Sequence, residues 1–66
     1  MSWKIVKLEK LRRELDGYNR IFVAMFGSPE VTEMQLSLLS PMMRGQMRNL
    51  LRARTEARQE RAKLER

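Results

Sequence analysis

A chain of 66 residues with a formal charge of +6, no Cys and no His has room for one domain and few ways to staple it. A core this small rarely supplies more than about 3–5 kcal/mol. Disulfides are excluded and the two commonest zinc ligands are missing, so docking to a partner or to a second copy is the remaining support.

At 42% hydrophobic residues the chain is too apolar to be wholly disordered. The longest apolar run, Ile21–Phe26, falls far short of the ~20 residues that span a bilayer. The start, Met1-Ser-Trp-Lys-Ile-Val-Lys7, has no apolar h-region and no small-residue cleavage site, and together with the lack of Cys this predicts a cytoplasmic protein. The charge is uneven. Residues 1–40 hold six Lys/Arg against five Asp/Glu, and residues 41–66 hold eight against three.

The first predicted helix covers residues 5–26. Leu8, Leu11, Leu15, Tyr18, Phe22 and Met25 follow at alternating spacings of three and four, which places them on one narrow face. Lys10, Arg13, Asp16 and Arg20 fall on the other side. The run from Ile21 to Phe26 is apolar on every side, so this end of the helix is expected to be covered all round. Gly17 is a weak point unless another backbone must come close there.

Gly27 stops this helix. Ser28-Pro29-Glu30 reads as cap, first-turn proline and first-turn acid of a second helix over 29–39, with Val31, Met34 and Leu38 as its stripe. Ser40-Pro41 repeats the start signal and opens a third helix over 41–64. Met43, Met47, Leu50 and Leu51 give it an apolar face, with Arg44, Arg48 and Arg52 stacked opposite. Met43, Leu50, Ala57 and Leu64 recur every seven residues, but Gln46, Ala53 and Glu60 as the intervening positions make a polar seam. The last three turns are therefore expected to project. The fold class is all-α: a long helix, a short one and a long one, folded as an antiparallel hairpin and dimeric.

Catalysis is poorly provided for. Asp16 is the only Asp, no Gly-rich phosphate loop appears, and Ser28 and Ser40 are better spent as caps than as nucleophiles. Leu11-Arg-Arg-Glu-Leu-Asp16, followed by Ile21 and Phe22, resembles the start of the first helix of the all-helical chorismate mutases. That resemblance implies Arg12 as a holder of substrate carboxylates. The family's further basic residues, its acid and its glutamine have no counterparts in this chain, which is also short for that fold. The sequence therefore predicts no enzyme, no cofactor and no metal.

Two binding readings remain. Five of the six methionines (25, 34, 42, 43 and 47) sit in apolar positions, and Met adapts to irregular protein surfaces. Leu8, Leu11, Leu15, Tyr18, Phe22, Met25, Phe26, Met43, Met47 and Leu50 are the expected core and dimer or protein-binding face of a small regulator or inhibitor, in the style of phage or mobile-element proteins. The alternative is DNA or RNA binding through Arg44, Arg48 and Arg52 on the third helix. Against it, Glu56, Glu60 and Glu65 interrupt the basic tail, and Arg52–Glu56 and Arg61–Glu65 are spaced to pair. A membrane-surface patch of Trp3, Lys4, Lys7 and Lys10 is diluted by Glu9 and Glu14 and is not expected to bind lipid.

Overall fold

A computed structural model of the chain describes residues 2–66, which contain three helices and no strand. Helix α1 spans Trp3–Phe26, α2 spans Glu33–Ser37 and α3 spans Pro41–Leu64. The two long helices lie antiparallel: Lys7 reaches Glu60, Asn19 reaches Arg54, and Phe22 packs with Met47. The result is a rod of 45 × 18 × 17 Å.

Local chemistry sets most of the helix ends. Gly27 takes a left-handed conformation (φ 78°) that other residues adopt reluctantly, and its N–H donates to the Val23 carbonyl at 2.9 Å. Ser40 caps α3, its Oγ accepting from the Met43 N–H, with Pro41 in the first turn as expected.

The second helix departs from the sequence reading. Ser28 does not cap a helix; its Oγ accepts the Glu30 N–H two residues on, in a local turn. Helix α2 starts at Glu33 and ends at Ser37, inside the expected 29–39. Its signal is a capping box: Thr32 Oγ1 accepts from the Gln35 N–H at 3.1 Å, and Gln35 Oε1 accepts from the Thr32 N–H at 3.0 Å. Residues 28–32 are held by tertiary contacts instead, the Pro29 carbonyl being taken by a side chain of α3.

Two apolar clusters fill the space between the elements. Leu11, Leu15 and Ala57 form one, with Leu64 against it. Phe22, Leu36 and Met47 form the other, flanked by Tyr18, Phe26, Val31, Leu39, Met43, Leu50 and Leu51. Phe22 and Leu36 are fully buried, and each such side chain contributes about 1.5–3 kcal/mol.

Three expectations are corrected by this packing. The stripe of α1 continues from Phe22 to Phe26, four residues on, and leaves Met25 40% exposed. The apolar end of α1 is not covered all round, since Ile21, Val23 and Met25 face solvent. The last turns of α3 do not project: Ala57 is buried, Leu64 joins the first cluster, and Glu60 is bridged to Lys7 at 2.6 Å. The buried seam of α3 runs through Met47, Arg54 and Ala57, with Arg54 rather than Ala53 facing α1.

Candidate protein-binding surfaces

The residues predicted to meet a partner mostly meet one another. Leu11, Leu15, Phe22 and Met47 are buried, and Leu8, Tyr18, Phe26, Met43 and Leu50 are half-buried along the α1–α3 contact. Of that predicted face only Met25 is exposed.

The arginines of α3 are also largely engaged. The Arg44 Nε donates to the Leu36 carbonyl at 3.2 Å, and its Nη2 donates to the carbonyls of Ser37 and Leu39 at 3.3 and 3.1 Å. These carbonyls lie at and just past the C-terminal end of α2, where intrahelical bonding runs out, so Arg44 serves as the C-terminal cap of a helix it does not belong to. Arg48 forms a two-pronged pair with the Glu33 carboxylate at 3.2 and 2.9 Å. That bonding and the Arg48 charge hold the Glu33 carboxyl below its ordinary value. Arg52, the third predicted nucleic-acid contact, is exposed and has no ion pair among the described residues; Glu56, expected to pair with it, has none either. The predicted Arg61–Glu65 pair does form, at 3.7 Å.

Arg54 is the residue that sequence reasoning passed over. It is only 4% exposed, with its guanidinium 4.7 Å from the centroid of the Phe22 ring. Its Nη1 donates to the Pro29 carbonyl at 2.6 Å and to Asn19 Oδ1 at 3.0 Å, so one side chain ties α3 to α1 and to the 28–32 segment. Its Nε is the one buried side-chain polar atom without a hydrogen-bond partner among the described residues. Burial pushes the Arg54 guanidinium down, and the neighbouring positive charge of Arg58 adds to the effect against the pull of Glu30. The signal was its spacing: Met47, Leu50, Arg54 and Ala57 keep the core rhythm of three and four.

The surfaces left open are apolar but scattered over three places. Met34 and Leu38 lie one helical turn apart on the outer side of α2, at 76% and 82% exposure, and Met42 in the first turn of α3 is 74% exposed. Ile21 and Met25 form a smaller pair on α1, each 40% exposed. Trp3, Ile5 and Val6 occupy the far end of the rod.

Concave features are shallow and chemically quiet. The groove lined by Ile5, Leu8, Glu9, Arg12, Arg61 and Glu65 contains Arg12, but that guanidinium is held by the Glu9 and Asp16 carboxylates, and Arg61 by Glu65. Arg12 lowers the pKa of Glu9 by direct hydrogen bonding, which keeps that carboxylate ionised and a poor general base. No cluster of three Asp, Glu, His or Cys suited to a metal ion occurs among the described residues. No described helix is long and apolar enough to cross a membrane. No protein-family model, no curated protein and no solved structure matches the chain.

Proposed function

We propose that this chain is a non-catalytic binding protein that docks a partner protein through the outer side of α2. One observation carries the reading: Met34 and Leu38 stand nearly fully in water, while Leu36 between them anchors α2 in the core. Single exposed hydrophobics are ordinary, but two large ones one helical turn apart on so short an element form a patch. Methionine suits such a patch because its unbranched thioether adapts to an irregular partner. The capping box, the Arg44 cap and the Glu33–Arg48 pair hold this corner in shape, so little ordering is required on docking.

The test is affinity capture from native lysate with the wild-type chain and with Met34→Asp combined with Leu38→Asp. Both positions are exposed, so helix content by circular dichroism should be unchanged while capture of the partner is lost. Equal capture by the folded double variant defeats the reading.

A second reading, nucleic-acid binding, is favoured by one feature of α3. Its outermost ridge steps through Gly45, Arg48, Arg52, Thr55, Gln59, Lys63 and Arg66 with no carboxylate. A salt-sensitive gel shift abolished by Arg52→Glu with Lys63→Glu would favour this alternative.

A further inference from the structure

Two flanks run along the α1–α3 hairpin, and the rest of the chain covers only one. Segment 28–39 lies on the flank marked by Asn19, Arg44, Arg54 and Arg58, each of which it touches or which shares its contacts. The opposite flank is marked at the far end of the rod by the Lys7–Glu60 pair. Stepping from Lys7 at helical intervals leads through Glu14 and Tyr18 to Ile21 and Met25. The matching steps back from Glu60 lead through Ala53, Asn49 and Gln46 to Met42. From Tyr18 and Ala53 onward, this flank carries no charged side chain on either helix.

We propose that two copies of this chain pair through this uncharged stretch, each completing the other's hairpin into a four-helix bundle. It uses neither Met34 nor Leu38, so it stands or falls separately from the partner reading above.

Two observations select a second copy as the occupant. The first is area. The chain exposes 5084 Å², against about 4400 Å² for a compact monomer of its 7.9 kDa mass. The surplus is close to the ~800 Å² that each partner buries in a standard interface. The radius of gyration agrees, at 13.7 Å against about 11 Å for a compact chain of this length. The second is charge. A chain of +6 repels its own copy across most of its surface. A two-fold contact sets each patch against itself, so it is free of like-charge repulsion only where the patch is neutral, as here.

Sedimentation equilibrium at micromolar concentration tests the pairing. The wild type should run at twice the chain mass. Ile21→Lys with Met25→Lys should weaken association at least about a hundredfold by burying charge in the contact, with helix content retained. Met34→Asp with Leu38→Asp should leave the dimer intact. Because the chain has no cysteine, Asn49→Cys should form a cross-chain disulfide rapidly on mild oxidation and Gln59→Cys, on the outer ridge of α3, should not. The cysteine pair decides the question even if the lysine variant fails to fold. A monomeric wild type, an unweakened folded lysine variant, or equal cross-linking at the two cysteine sites each overturns the proposal.

Discussion

On one flank of the α1–α3 hairpin, Arg44, Arg48, Arg54 and Arg58 reach the 28–39 segment through carbonyls and carboxylates. On the other flank, the half nearest the 27–40 connection has no charge and nothing over it. The contrast separates two uses of surface that look alike in composition. The arginines, which suggest an external polyanion, are mostly fasteners for a segment too short to hold itself. The open side is neutral, and Ile21, Met25 and Met42 there belong to neither apolar cluster. A five-residue helix is far below the length at which helices persist alone. Its position therefore depends on Leu36 in the core and on the guanidinium groups around it.

This contrast can be broken hardest at its shared centre. Phe22→Ala removes the fully buried ring that both flanks lean on, together with the surface under the Arg54 guanidinium. The expected cost is about 3–5 kcal/mol, comparable to the whole core contribution, so thermal unfolding should show no cooperative transition. Next in size, Arg54→Ala should cost about 2–4 kcal/mol. Arg54→Lys should recover little of that in a urea titration, because an ammonium lacks the planar guanidinium face that lies against the Phe22 ring. Recovery by lysine would reduce Arg54 to a simple positive charge.

A smaller effect isolates the start of α2. Thr32→Ala deletes one half of the capping box and should lower stability by about 1 kcal/mol. It should also speed amide exchange at Gln35 more than at Phe22. The smallest effect is electrostatic. Glu33 is held below the ordinary glutamate value of 4.5 by Arg48, and Glu60 by Lys7. A depressed folded value contributes stability that is fully present above that ordinary value and is lost as pH falls through the folded one. Glu33 is largely exposed and Glu60 about half exposed, so the contribution is small and salt-sensitive. Glu33→Gln should flatten the fall of the urea midpoint between about pH 6 and pH 3 without altering its value in high salt. An unchanged slope would mean the Arg48 clasp adds nothing in solution.

Helix boundaries set by local chemistry were readable residue by residue. Gly27 and Ser40-Pro41 act within one turn of themselves, through a left-handed φ and a side-chain cap, and need nothing distant. Ser28-Pro29 has the same local grammar yet starts no helix. The Pro29 carbonyl is claimed by Arg54, twenty-five residues away, and the capping box at Thr32 offers a better start. The α3 seam failed for a related reason. An arginine at a core spacing reads as solvent-facing until an aromatic face and two acceptors are known to lie beneath it. Taking Ala53 for the seam in place of Arg54 made the tail look detached, and Leu64 shows that it is not.

For the candidate surfaces, the apolar stripe of α1 was legible and its occupant was not. Periodicity tells which side chains share a face, and it is silent on whether that face meets the same chain or another one. By itself, then, the sequence determined an all-α chain, its two long helices, the stop at Gly27 and the start at Pro41, since each follows from interactions within a few residues. Only the tertiary structure decided that the Phe22–Met47 face is spent internally, that Arg44 and Arg54 are fasteners, and that Met34, Leu38, Ile21 and Met25 are the apolar groups left over. Those outcomes depend on which distant residues come together to bury surface, and burial is a property of the packed chain, not of any one segment.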